Sequence, residues 1–163
     1  MLQGVTYPDD GGGNRGYVKY AYNAPSQLLW TEDQATNVLG DAYDTAGRET
    51  ARKVTTLASG FDGAVRRLER SYDSLGRSET VVQYDAASAG SATDGVKYTY
   101  DGWGALTKFE QDRNSAVGAS GSVDDYEVSY TVAKSYGATS TNPGRRTLQR
   151  TAMVLPSGKS ITL

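Results

Sequence analysis

Three observations predict an all-β chain of repeated antiparallel β-hairpins. Side chains alternate with period two through most of the 163 residues, turn-forming residues interrupt the alternation at short intervals, and one turn motif recurs at a spacing of a few tens of residues. Nowhere does a 3.6-residue apolar period replace the alternation, so the repeating unit is a hairpin and not a helical pair. Twelve tyrosines, nineteen glycines and only two phenylalanines suit a thin sheet better than a thick core. A tyrosine ring fits a pleated, half-buried surface while its hydroxyl stays wet or finds a partner.

In chain order, Val5-Thr6-Tyr7-Pro8 reads as a short strand stopped by proline, and Asp9 to Gly16 as a turn rich in glycine. Tyr17–Tyr22 alternates and leads into a turn at Asn23–Gln27, with Leu28–Glu32 as the return strand. Asp33–Asn37 is a polar connection to Val38–Tyr43, and Glu49–Leu57 returns from the next turn. Phe61-Asp62-Gly63-Ala64 carries an Asp-Gly hairpin signal. Leu68 to Tyr84, LERSYDSLGRSETVVQY, is the most complete copy of the unit, two alternating strands about a reversal at Tyr72–Arg77. There Asp73 can accept backbone N–H bonds and Gly76 can take positive φ.

The small-residue stretch Ala86–Gly95 reads as a surface linker. Val96-Lys97-Tyr98-Thr99-Tyr100 then restates Val18-Lys19-Tyr20-Ala21-Tyr22 in four of five positions, and Ala105–Asp112 returns. Asn114–Ser122 and Ser135–Arg145 read as loops around a strand at Tyr126–Val132. Thr147–Leu155 is a further strand, turned by Pro156-Ser157-Gly158 into Lys159–Leu163. About ten strands with negligible helix are expected. The expected core comprises Tyr22, Trp30, Tyr43, Val54, Leu68, Tyr72, Val82, Tyr100, Leu106 and Tyr130.

The repeat is defined by Tyr43-Asp44-Thr45-Ala46-Gly47-Arg48 and Tyr72-Asp73-Ser74-Leu75-Gly76-Arg77, which match at Tyr, Asp, Gly and Arg. Tyr100-Asp101-Gly102-Trp103-Gly104-Ala105-Leu106 keeps Tyr, Asp and Gly but not Arg, and Tyr22-Asn23-Ala24-Pro25-Ser26-Gln27-Leu28 is a looser copy. With Tyr130 as a degenerate fifth copy, the tyrosines lie 21, 29, 28 and 30 residues apart. At these residues the chain resembles the tyrosine-aspartate (YD) repeats of RHS proteins, Tc-toxin shell components and teneurins. The resemblance implies one YD-repeat domain over residues 1–163, in which hairpins stack side by side into a curved or spiral sheet, a segment of a barrel or hollow shell. It implies an extracellular or cell-surface setting and scaffolding instead of chemistry.

Composition excludes several classes. A formal charge of -2 leaves no footprint for nucleic acid and no polybasic membrane patch. Without Cys or His there is no disulfide framework, thiolate nucleophile, zinc-thiolate site or imidazole base. No run approaches the roughly 20 apolar residues of a spanning helix, and the first residues show no basic region followed by an apolar run. No catalytic, cofactor-binding or metal site is expected. Asp9-Asp10 and Asp124-Asp125 are adjacent carboxylates, but neither lies in the loop pattern that wraps calcium. Chance carboxylate pairs do not make a glycosidase site.

Arg48 and Arg77 are expected to bond the preceding Asp or nearby carbonyls. Trp103, between Gly102 and Gly104, is hard to bury and easy to present, so a glycan-binding adhesin is one alternative function; a segment of a toxin-encapsulating shell is another. No N-x-[ST] sequon exists, while Thr139-Ser140-Thr141-Asn142-Pro143 resembles a short O-glycan acceptor loop. Finally, Leu2-Gln3 leading to Pro8 parallels Leu148-Gln149 leading to Pro156. That parallel suits self-assembly by head-to-tail strand pairing, or continuation into flanking repeats of a longer chain.

Overall fold

The computed structural model describes residues 1–9, 15–118, 126–133, 147–154 and 160–161. Among these residues the chain is all-β, with antiparallel strands and no helix. The strands are β1 (Leu2–Asp9), β2 (Arg15–Tyr22), β3 (Leu28–Asp33), β4 (Val38–Tyr43), β5 (Glu49–Thr56) and β6 (Arg67–Tyr72). They continue with β7 (Ser78–Tyr84), β8 (Ala92–Tyr100), β9 (Leu106–Asp112), β10 (Tyr126–Ala133), β11 (Thr147–Val154) and β12 (Ser160–Ile161). Consecutive strands pair from β1 to β6 and from β8 to β12, as expected when the connections are hairpins. Two compact units emerge, Met1–Ser71 with Val82–Thr93, and Tyr72–Val81 with Asp94–Leu163.

Four details differ from the sequence reading. Twelve strands are described where about ten were expected. β1 starts at Leu2 and passes through Pro8. The proline is tolerated because the β1–β2 register shifts between Thr6 and Asp9, so no ladder bond to β2 is required of its nitrogen. The Asp62-Gly63 pair does not form a tight hairpin: it lies in an irregular connection where Asp62 Oδ1 accepts the Ala64 N–H at 2.9 Å. The fourth difference is β8, which begins at Ala92 inside the stretch read as linker. Gly95 pairs with Asp112, and a Cβ on Gly95 would come within 2.9 Å of the Ala116 Cα and the Ser115 carbonyl. Small residues there permit a close approach of two backbones.

The expected aromatic core also needs correction. Among the described residues the buried hydrophobic side chains are Ala51 and Val82, while Tyr22, Trp30, Tyr43, Val54, Leu68, Tyr72, Tyr100 and Leu106 are half-buried; the Tyr130 side chain lies outside the description. The described residues supply strands and no helix to cover them, so large side chains stay wet on part of their surface. Polar groups are buried in their place: Asn37, Asp41, Arg67, Glu110 and Asp112.

Cross-strand ion pairs tie the first unit. Arg52 Nε lies 2.7 Å from Asp41 Oδ1, its register partner across β4 and β5, and 3.3 Å separate Arg52 Nη2 from Glu49. Glu49 also pairs with Arg70 on β6. Lys19 on β2 faces Glu32 on β3 at 2.8 Å. The hydrogen bond between them raises the Lys19 pKa and lowers that of Glu32. Pairs with both partners partly exposed, such as Lys19 with Glu32, contribute little singly and mainly fix register, whereas the Asp41 carboxylate is buried beneath its arginine.

Candidate functional site: a repeated five-residue turn

The four sequence-identified turns share one construction, and a fifth copy occurs at Asp33–Asn37. The first residue of each is Asn23, Asp33, Asp44, Asp73 or Asp101. Its N–H donates to the carbonyl of the fifth residue at 2.9–3.1 Å, and its own carbonyl accepts from the fourth residue's N–H at 2.9–3.0 Å. The fourth residues, Ser26, Thr36, Gly47, Gly76 and Gly104, all take positive φ, between 66° and 84°. A turn followed by a left-handed residue adds one residue to the returning strand, the pattern of a three-residue hairpin loop with a bulge. Register shifts at Ala21/Tyr22, Ala42/Tyr43 and Thr99/Tyr100 record it.

The first side chain completes the turn. Its Oδ1 accepts the fifth residue's N–H at 2.8–2.9 Å in all five copies. It also accepts the third residue's N–H at 2.8–2.9 Å in four of them, from Ala35, Ala46, Leu75 and Trp103. Pro25 occupies that place in the first turn and has no N–H to give. The motif's Asp is therefore a receptor for backbone donors that would otherwise face inward unpaired.

The fifth side chain closes the other carboxylate oxygen. Arg48 Nε donates to Asp44 Oδ2 at 2.7 Å and Arg77 Nε to Asp73 Oδ2 at 2.6 Å. At Asp33 an asparagine does the same, Asn37 Nδ2 donating to Oδ2 at 2.9 Å. In the first turn two amides make the contact in the opposite direction, Asn23 Nδ2 donating to Gln27 Oε1 at 2.6 Å. These bonds leave the carboxylates below their usual pKa. For Asp33 the Asn37 side-chain bond is the largest cause, and for Asp44 the backbone N–H of Arg48. At Asp73 burial is the largest single influence and pushes upward, yet the backbone and side-chain bonds from Arg77, the Leu75 N–H and the Arg77 charge together outweigh it.

Tyr22, Tyr43, Tyr72 and Tyr100 precede four of the turns and are half-buried. Burial, then the nearby Asp41 and Glu49 charges, raises the Tyr43 pKa. Tyr130 lies within β10, and residues 134–146 after that strand are outside the description, as are Asp10, Asp124, Asp125, Thr139, Ser140 and Thr141. Trp103, the third residue of its turn, is 64% exposed and Leu75, at the same place one hairpin earlier, 68%. Among the described residues no group of three or more acidic side chains could hold a metal ion, and no helix is long and apolar enough to cross a membrane.

Sequence reading missed the Asp33 turn because its fourth residue is Thr and its fifth Asn, hiding both Gly and Arg. An Asp followed four residues later by an amide was the available signal. The left-handed region is strained for a β-branched residue, which gives a prediction. Thr36→Gly is expected to raise stability by about 1 kcal/mol, the relief of left-handed strain less the larger entropy of an unfolded glycine. Thermal unfolding would show an upward shift of about 2–4 °C; a lower midpoint would refute the strain.

Comparison with known proteins finds no matching family model and no matching curated protein. Solved structures that the chain resembles include one described as "Crystal Structure of TcdB2-TccC3-TEV", at 12% identity and a TM-score of 0.30, covering 99% of this chain and 11% of the other. "Crystal Structure of TcdB2-TccC3-Cdc42" matches at 12% identity and a TM-score of 0.31, with the same coverage. "Crystal Structure of TcdB2-TccC3 without hypervariable C-terminal region" matches at 14% and 0.30, covering 94% of this chain and 10% of the other. The chain thus spans about a tenth of the length of these structures.

Proposed function

We propose that this chain is a non-enzymatic structural β-repeat element, a wall segment of an extracellular or cell-surface filament or shell. It extends by strand pairing, with another copy head to tail or with flanking hairpins of a longer chain. One observation carries the reading: the same side-chain-locked turn is built five times, so the sequence is spent on a repeating sheet. The edge at β1 supports extension. Met1 and Tyr22 exchange both backbone bonds, at 2.8 and 2.9 Å. Antiparallel alternation then turns the N–H and C=O groups of Leu2, Gly4 and Thr6 away from β2. Leu2, Val5 and Tyr7 are exposed along the same strand. An open edge with apolar side chains is a template for a further strand.

The test is assembly itself. Electron microscopy and sedimentation of the purified chain are expected to show regular fibres or ordered oligomers that Gly4→Pro suppresses. That substitution removes an outward N–H and leaves the bonds to β2 in place. A monodisperse monomer at high concentration, unchanged by Gly4→Pro or by deletion of 147–155, would end the proposal. The exposed Trp103 ring favours a second reading, a glycan-binding module. Glycan-array binding that vanishes in Trp103→Ala would place it first, whereas no binding leaves the wall segment standing.

A further inference from the structure

The fifth residue of the turn does more than close its own hairpin. Gln27 Oε1 accepts from Asn23 in its own turn, while its Nε2 donates to the Gly47 carbonyl of the next turn on that end of the sheet, at 3.1 Å. Asn37 Nδ2 donates to Asp33 in its own turn, while its Oδ1 accepts the Ala58 N–H of the next connection at 2.7 Å. Within the second unit, Arg77 Nε holds Asp73 while Nη1 donates to the Asp101 carbonyl at 3.1 Å. The Arg77 guanidinium also lies 4.5 Å from the Tyr100 ring centroid, and the Tyr100 hydroxyl returns a bond to the Ser78 carbonyl at 3.0 Å. Three different residue types make the same pair of contacts.

We infer that the fifth position is a coupling residue: one side chain with two separated polar functions closes its own turn and clips the next, so each turn's closure is linked to its neighbour's. The chemistry accounts for the residues found there. Gln, Asn and Arg each carry two polar atoms far enough apart to serve two turns at once, whereas Ser, Leu or Lys do not. Charge is not the requirement, since an amide meets it twice. Ala105, at the same place in the last described turn, cannot act this way. The consequence is a repeat array in which a local opening spreads to the adjacent hairpin.

Amide hydrogen exchange on the full chain tests the coupling. In the turn after Arg77, the Trp103 and Ala105 N–H groups are held by Asp101 Oδ1 and the Gly104 N–H by the Asp101 carbonyl. Arg77→Leu is expected to speed exchange at Trp103, Gly104 and Ala105 by about tenfold, the loss of one hydrogen bond's worth of coupling. Arg77→Gln should restore most of the protection although it removes the charge. If Arg77→Leu speeds exchange only at Leu75, Gly76 and Arg77, the residue is local and the inference fails. Should Arg77→Leu not fold, Gln27→Leu provides the same readout at Ala46, Gly47 and Arg48. Unchanged exchange there would likewise overturn it.

Discussion

Arg67→Met is expected to lower unfolding stability by about 2–4 kcal/mol. Arg67 opens β6 and is buried. Its Nη1 donates to the carbonyls of Ala86 and Ala89 at 3.0 and 2.8 Å, and its guanidinium carbon lies 3.9 Å from the Tyr84 ring centroid. Glu69 lies 2.8 Å from Nε but off the N–H direction, so it adds charge and no hydrogen bond. The loop it plugs is strained at Ala89, whose φ is 54°, while Gly90 beside it takes 81° as a glycine readily does. Replacing a buried ion by an apolar group can be neutral when its partners are removed too. Here they are main-chain carbonyls that remain, so two charge-assisted bonds worth about 1.5–3 kcal/mol each are lost against recovered desolvation. Urea unfolding reads the loss, and exchange at Asp85 and Ser91, whose amides close the loop, should accelerate with it. A change below about 0.5 kcal/mol would show that the plug is incidental.

What sequence reading reached was what a few neighbouring residues decide. At Asp44 and Asp73 the acceptor, the left-handed glycine and the closing arginine fall within five residues, so the turn, its direction and the flanking alternation follow from local chemistry. Asn23 was legible for the same reason, an asparagine amide oxygen accepting the N–H bonds that a carboxylate accepts elsewhere. Thr36 was not, because the backbone at that place overrides an unfavourable local preference that composition cannot reveal. Arg67 reaches carbonyls 19 and 22 residues away, and nothing in LERSYD marks its first neighbour as the plug of a later loop. Ala92–Gly95 was misread because small residues signal either a linker or a close approach, and only the pairing of Gly95 with Asp112 decides between them.

Acid is expected to dissolve the turns together. Asp33, Asp44 and Asp73 all titrate below their ordinary value when folded, for the bonds already described. A carboxyl whose folded pKa is depressed binds protons more readily when unfolded. Its contribution is fully present above the ordinary carboxylate pKa and is lost as pH falls through that range and on through the lower folded value. Three such groups acting in the same direction make stability drop steeply on the acid side of about pH 4. Protonation has a structural meaning as well, since a neutral carboxyl holds Arg48 or Arg77 less tightly. The discriminating variant is Asp33→Asn with Asp44→Asn and Asp73→Asn. An asparagine still offers the backbone an oxygen, as Asn23 does, so the turns should form, with lower stability at neutral pH and a flatter acid limb. Glu32, held down chiefly by its bond from Lys19, keeps a residual slope in that variant. Chemical denaturation from pH 7 to pH 2 measures both limbs. If the triple variant loses stability in acid as steeply as the parent, the turn carboxylates are not the acid-sensitive groups, and the cross-strand pair of Glu32 with Lys19 takes their place.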